Sequence, residues 1–444
     1  MLVSLLINLF YLGLLTLTFP ILLYRCIFQG KYREGWSQKF FGLLPRRTSE
    51  KPVLWFHAVS VGEVLLLEPV LKELERQGSV CEVVISTTTQ TGHAVAREKF
   101  PQCQIAYFPL DFSWSVRKAL KRVRPDLMVL VELELWPNFI REAHRRKIPL
   151  AIINGRLSAK SHRGYRRIRS LVARLLTRFQ TIAVQSEEYA LRFWDLGATP
   201  DSVQHTGSIK FDQVETDRNN PKTQELRRYF GIADDELVLI AGSTQSPEES
   251  YALATYEELK PIFPELRLIL VPRHPERFDE VAHLVAQRRL PLVCRSTGRP
   301  ASDSRGQAIL LLDTLGELGA CWGLADVAFV GGSLTNRGGQ NMIEPAAYGA
   351  AVVLGPNTWN FQEVVAILSA GDAVRVVSSH KDLTNTVYSL LSVREARVLL
   401  GERARKLVLP QQGATRRTVD LLAATLGDGV LIPKKPDRSD LKAA

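Results

Sequence analysis

The chain has 444 residues, 45% hydrophobic and 23% charged, with a formal net charge of +11. That length exceeds what one core serves, so two domains are the default, and the composition is that of an ordinary globular protein. Five cysteines with no Cys-x-x-Cys pair argue against a disulfide framework or a structural zinc site and fit a reducing compartment, while the basic balance suits an anionic partner such as nucleic acid, a membrane surface or a phosphorylated substrate.

Met1 to Tyr24 contains no charged residue, and about 20 apolar residues cross a bilayer core. Arg25, Lys31, Arg33 and Lys39 follow, opposed only by Glu34. The positive-inside rule then places the rest of the chain in the cytoplasm. A cleaved signal peptide needs positive charge before the apolar run and a small-residue cut site, and neither is present. A spanning helix is the first reading; a helix lying in the interface and a buried soluble helix are the alternatives. Residues 1–28 are read as the anchor, with Pro20 as a candidate kink.

Beyond the anchor, apolar β-rich runs alternate with helical patterns. Predicted strands in the first half are Val53–His57, Glu82–Ser86, Gln104–Phe108, Leu127–Val131, Leu150–Ile153 and Thr181–Val184. The polar run Asp212–Lys222 reads as a linker. The alternation resumes with Leu237–Ala241, Arg267–Val271, Pro291–Val293, Ile309–Leu312, Val327–Val330 and Val352–Leu354. Such alternation predicts two α/β, Rossmann-like domains with parallel sheets facing a cleft, spanning 34–212 and 223–425, followed by a polar tail at 429–444. Ligands of such sheets bind beyond the carboxyl ends of the strands, so the loops after each strand are the ones to read.

The first of these loops is His57-Ala-Val-Ser-Val-Gly-Glu63, where a lone glutamate opens a helix whose Leu67, Val70, Leu71 and Leu74 share one face. Ser60 and Gly62 read as turn formers and His57 as a structural strand end. Glu132 and Glu134 lie two apart, which on an extended segment turns them to the same side. Lys210 stands just before the linker. From Arg141 to Arg178 there are twelve Lys/Arg and one acidic residue, a helical hairpin with a basic face suited to anionic lipid or a phosphorylated acceptor.

In the second half, Gly331-Gly332-Ser333 and Gly338-Gly339 free the backbone, so their N–H groups are expected to point at a phosphate. Glu344 is placed to accept hydrogen bonds from ribose hydroxyls. Arg273 suits bidentate phosphate binding. His274 precedes a proline, has no second histidine at ligand spacing and reads as structural. No metal site is expected, since neither His-x-x-x-His nor Asp-x-Asp occurs near these loops.

Together these residues resemble the Kdo (3-deoxy-D-manno-octulosonic acid) transferases of lipopolysaccharide synthesis. The resemblance runs over nearly the whole chain: the apolar anchor, His57-x-x-Ser-Val-Gly-Glu63, Thr87-Thr-Thr-x-Thr-Gly92, Glu134-Leu-Trp-Pro-Asn138, Asn154-x-Arg-Leu-Ser158, Pro272-Arg-His-Pro275, Asp313-Thr-x-Gly-Glu-Leu318 and Gly331-Gly-Ser…Gly-Gly-x-Asn-x-x-Glu-Pro345. It implies a GT-B fold, with lipid A precursor (lipid IVA) as acceptor at the first domain and CMP-Kdo as donor at the second. It implies Glu63 as catalytic base, Glu132 and Lys210 as supports of the transition state, and donor contacts from Pro272, Arg273, Leu315, Gly316, Glu317, Asn341, Met342, Ile343 and Glu344. No cofactor or metal is implied, and the site of action is the cytoplasmic side of the inner membrane. Two departures stand out. Gln340 and Gln245 occupy positions where the family usually has histidine, and glutamine keeps hydrogen bonding but loses a titratable ring. The alternatives are another membrane-associated GT-B nucleotide-sugar transferase or epimerase, or a non-catalytic protein binding anionic lipid. Nucleic acid is not expected as a partner, because no helix-turn-helix, zinc or RNP signature is present.

Overall fold

Runs of Val, Ile, Leu and Phe too short for a helix and buried on both faces are the signature of parallel strands covered by helices. In the computed structural model, which describes residues 2–28, 34–48, 50–212, 214–298 and 306–427, such runs build two separate sheets. The tail 429–444 and the basic residues Lys31 and Arg33 lie outside the described residues. The chain divides into two units, one of Met1–Asp212 with Gln412–Ala444, the other of Gln213–Gln411.

The first unit holds β1 (Val53–His57), β2 (Glu82–Thr87), β3 (Gln104–Tyr107), β4 (Leu127–Val131), β5 (Leu150–Gly155), β6 (Thr181–Val184) and β7 (Val203–His205). They form one seven-stranded sheet in the order β3-β2-β1-β4-β5-β6-β7. Every pairing is parallel. All five residues of β1 and of β4 are buried. The helix Leu67–Arg76 buries Leu67, Val70, Leu71 and Leu74, as its spacing predicts. The basic stretch forms a helix, Pro137–Arg145, then β5, then a helix pair, Ala159–Arg166 and Arg169–Leu176.

The second unit holds β8 (Leu237–Thr244), β9 (Leu266–Pro272), β10 (Leu292–Cys294), β11 (Ile309–Leu311), β12 (Val327–Val330), β13 (Ala351–Leu354) and β14 (Arg375–Val376). Their order is β10-β11-β9-β8-β12-β13-β14, again parallel throughout. In both sheets the first strand of the unit sits inside the sheet and the chain fills one side before the other, except that in the second β11 inserts between β9 and the edge strand β10. The reversal lies between β1 and β4 in the first unit and between β8 and β12 in the second. Helices diverge there to opposite faces and leave a crevice at the strands' carboxyl ends.

Three details differ from the expectation. The edge strands β7 and β14 are too short to carry a periodic signal. The helix Pro221–Phe230 begins inside the stretch expected as linker, with Asn220 capping it and Pro221 in its first turn. The last helix, Ala414–Leu426, expected in the second domain, belongs to the first unit. Its Ala414, Val419 and Leu422 join the core formed by Leu67, Val70 and Leu74. Gln77 donates to Asp420 at 3.0 Å and Thr181 bonds Thr425 at 2.7 Å. These partners lie hundreds of residues away, so no local pattern announces them.

The helix Leu2–Phe28 continues through Pro20. Its segment Val3–Ile21 is by length and composition apolar enough to cross a membrane.

Asp212 closes the first unit. Its carboxylate accepts from the N–H of Gly413 at 2.6 Å and from that of Thr415. These are first-turn donors that a helix leaves without internal partners. Asp212→Ala is expected to cost about 1–2 kcal/mol in denaturant unfolding, as loss of a cap does. Hydrogen exchange should show protection lost first across 414–426.

Candidate functional site

In the first unit the loops after β1 and β4, neighbours across the reversal point, bring acidic side chains together. Ser60 caps the short helix Val61–Leu65 by accepting from the Glu63 N–H. Glu63 reaches back: one oxygen accepts from the Val59 N–H at 2.8 Å, the other from the Ser60 hydroxyl at 2.8 Å. This is a capping-box arrangement, legible in the sequence as Ser-x-x-Glu before an apolar run. It gives Glu63 a structural task and fixes the direction of its carboxylate. Burial pushes the Glu63 carboxyl above the usual range; the Val59 and Ser60 donors pull it down, and the Glu132 charge pushes it further up.

Glu132 does not continue an extended segment, as its spacing from Glu134 suggests. Its φ is +60°, a left-handed conformation that costs a non-glycine residue energy and recurs at functional sites. The kink still leaves both carboxylates within electrostatic reach of Glu63. Glu134 is pushed up to about 7 by burial, by the Glu63 charge and then by Glu132. Lys210 follows β7 in a buried 3-10 turn, Ile209–Phe211. Burial lowers its ammonium pKa and Arg156 lowers it further, while Glu132 works the other way. The turn is held by Asn154, itself left-handed at φ +52° and fully buried, whose Oδ1 accepts from the Ile209 N–H at 3.2 Å. Glu63, Glu132, Glu134 and Lys210 therefore form one cluster around the carboxyl ends of β1, β4 and β7. His57 stays out of it: fully buried, stacked on Phe108 at 3.7 Å, its pKa is driven down to about 3 by burial.

The second unit uses a glutamate differently. Glu248, fully buried after β8, accepts from the N–H groups of Gly332, Ser333 and Leu334 at 2.7, 3.1 and 3.0 Å. It also accepts from Gln245 N–H at 2.9 Å. Of the glycine-loop N–H groups expected to face a phosphate, those of Gly332 and Ser333 are thus already paired, because a buried carboxylate must find donors. Gly331 is needed for close approach: a Cβ there would lie 2.5 Å from the Thr244 Cα. Gly338, at φ +85°, accommodates the Trp359 ring.

Pro272 ends β9, and the exposed Arg273 just beyond it donates from Nε to Gln340 Oε1 at 3.2 Å. Gln340 therefore supplies an acceptor for Arg273. Asn341 donates to Glu344 at 2.9 Å and accepts from the Ile343 N–H at 3.1 Å. Burial pushes the Glu344 carboxyl up, and the Asn341 bond opposes this. A Cβ on Gly319 would lie 3.8 Å from Glu344 Oε2, so the loops after β11 and β12 meet at that carboxylate. Met342 and Ile343 have fully buried side chains and offer a ligand only backbone. The Glu317 carboxylate is taken by Arg295 at 2.8 Å and by Thr314, and Arg295 holds its pKa low. Leu315 is 73% exposed and Gly316 left-handed at φ +82°, so this loop presents an apolar side chain and a free-turning backbone. Among the described residues no group of three or more His, Cys, Asp or Glu is arranged to hold a metal ion.

Residues 34–213 match the family described as 3-Deoxy-D-manno-octulosonic-acid transferase (kdotransferase). The 3-deoxy-D-manno-octulosonic acid transferase of Haemophilus influenzae is 33% identical over 420 residues, 93% of this chain and 97% of that protein. Its namesake from Bordetella pertussis is 34% identical over 387 residues, 84% of this chain and 87% of the relative. A solved UDP-GlcNAc 2-epimerase from Neisseria meningitidis superposes with a TM-score of 0.54 at 14% identity, covering 84% of this chain and 100% of that one. That likeness shows the fold: two Rossmann-like domains on one chain, the GT-B class.

Glu248→Ala would strand buried N–H donors on two loops. It is expected to destabilise the protein by about 3 kcal/mol in urea unfolding. Glu248→Gln, which keeps one acceptor oxygen but turns an NH2 toward donors, should cost less but still more than about 1 kcal/mol.

Proposed function

Because the chain belongs to the Kdo transferase family and is a glycosyltransferase of lipopolysaccharide synthesis, we propose that it moves Kdo from CMP-Kdo to lipid A precursor, lipid IVA, by inverting, metal-independent transfer. The observation that carries this reading is the Glu63 carboxylate, aimed by Val59 and Ser60 and set among Glu132, Glu134 and Lys210.

Glu63 takes the proton from an acceptor hydroxyl as its oxygen attacks the anomeric carbon of Kdo. The bond from that carbon to the CMP phosphate breaks, and CMP leaves with the electron pair. A base must be ionised, and the fixed donors around Glu63 hold the carboxylate ready for the proton. Glu132 stabilises the positive charge of an oxocarbenium-like transition state. Lys210 and Arg273 meet the negative charge developing on the leaving phosphate. The donor is bound by Pro272–Arg273, by Leu315–Glu317 through the loop backbone and the Leu315 side chain, and by Asn341–Glu344, with Glu344 accepting from ribose hydroxyls. Gln340 steers Arg273 toward the phosphate.

The apolar N-terminal helix attaches the enzyme to the inner membrane with its catalytic domains on the cytoplasmic side. The acylated acceptor is held in that membrane, so attachment raises its effective concentration.

Mass spectrometry of lipid IVA incubated with protein and CMP-Kdo should show added Kdo. Glu63→Gln keeps the capping geometry and should abolish transfer while unfolding within about 0.5 kcal/mol of the parent, whereas Glu63→Ala should also lose about 1 kcal/mol of stability. Retained turnover in Glu63→Gln would remove the base assignment. The rate should fall as pH drops, with an apparent pKa above the ordinary glutamate value of ~4.3. Since the Glu132 charge raises Glu63, the residual activity of Glu132→Gln should show this acid limb moved to lower pH. CMP should raise the melting temperature more than UDP.

A further inference from the structure

The polar residues inside the apolar N-terminal helix contradict a simple membrane span. Asn8 is 8% exposed. Its amide donates to Ser113 Oγ at 2.8 Å and accepts from the Ser113 N–H at 3.0 Å and from Asn138 Nδ2 at 3.2 Å. One turn on, the Tyr11 hydroxyl donates to Asp111 at 3.0 Å, and its ring meets Phe112 edge-on. Asp111 is itself 3% exposed and accepts from the N–H groups of Asn138 and Phe139 at 2.9 and 2.7 Å. The helix is thus fastened to the start of Pro137–Arg145, the helix that directly follows Glu132–Glu134.

The other end of the helix leads back to the same place. Trp36–Phe41 packs on Ser113–Val123: Trp114 donates to the Phe40 carbonyl at 3.0 Å and Ser115 to the Lys39 carbonyl at 2.9 Å. Only thirteen residues, Leu12–Tyr24, separate the Tyr11 contact from Arg25. At 1.5 Å per residue they reach about 20 Å, short of the roughly 30 Å hydrocarbon core.

The outward side remains strongly apolar: Leu5, Leu9, Phe10, Leu17 and Phe19 are exposed, Leu17 by 78%. Trp36, Phe41 and Trp114 are exposed nearby, a composition suited to a headgroup boundary. Arg117, Arg141 and Arg145 line a crevice with Ser4 of the helix and with Glu142, which pairs with Arg145 at 2.7 Å. Apolar side chains flanked by arginines match one occupant, an anionic phospholipid leaflet.

We propose that the helix Leu2–Phe28 lies in the surface of an anionic leaflet without crossing it, and that Asn8 and Tyr11 latch it to the helix behind the Glu132–Glu134 loop. This rests on the reading that the enzyme works at a membrane.

The test uses the full chain with an epitope ahead of Met1, in sealed membranes. Added protease should remove the epitope from inside-out vesicles and leave it in intact spheroplasts; removal in spheroplasts would mean a span and overturn the proposal. Purified protein should also sediment with phosphatidylglycerol vesicles at least about tenfold better than with phosphatidylcholine vesicles. Equal partitioning would overturn the anionic-leaflet assignment, and no sedimentation with either would overturn the membrane reading as well. Kdo transfer to detergent-dispersed acceptor, measured in parallel, keeps the two proposals apart: its absence would sink the reaction while leaving the topology result standing.

Discussion

The adjacency of β1 and β4 is the constraint on which the rest depends. In a parallel sheet every connection must cross a face, and where the building direction reverses, neighbouring connections leave to opposite faces. The carboxyl ends of those two strands are then left open by the diverging helices. Glu63 and the Glu132–Glu134 pair meet there because they follow β1 and β4. Three carboxylates at close quarters would be unfavourable in isolation. Burial raises the pKa of Glu63 and of Glu134 first, and the neighbouring carboxylate charges raise both further, while the Val59 and Ser60 donors work the other way at Glu63. The site is tuned by burial first and by crowding second.

The second sheet shares the reversal beside its first strand and puts a glutamate after that strand, with the opposite outcome. Glu63 accepts from the N–H of Val59, four residues before it, and from the Ser60 hydroxyl. Glu248 accepts from the N–H of Gln245, three residues before it, and is then closed over by three N–H groups of the facing loop. One carboxylate stands among further acids; the other is mortar for a glycine loop. The difference lies in what the strand across the reversal supplies: further acids in the first sheet, backbone donors in the second.

Much of this was open to sequence reasoning. The alternation of buried runs and amphipathic helices predicts both sheets, and strand-end position singles out Glu63, Glu132, Arg273 and Glu344, while Lys210 draws notice only by standing just before the linker. What escaped is what depends on partners far along the chain. Nothing near Glu248 says that the donors eighty-odd residues on will find it. Nothing in Ala414–Leu426 says that its apolar face belongs in the first unit, against Leu67, Val70 and Leu74. The Glu132 kink is likewise invisible, because left-handed backbone is imposed by packing rather than by residue type. The capping role of Glu63 was available from its spacing and concerns stability, which is why it sits comfortably beside a catalytic reading.

The two hydrogen bonds from Gly413 and Thr415 to Asp212 have a consequence for the ancestry and engineering of the chain. The second unit, Gln213–Gln411, leaves the first at one residue and returns within bonding distance of it. It is an insertion whose entry and exit share a doorway, so the first unit needs only a short bridge from Asp212 to Gly413 to be continuous without it. A unit joined in this way can be replaced in evolution, or by design, without breaking the sheet that carries Glu63.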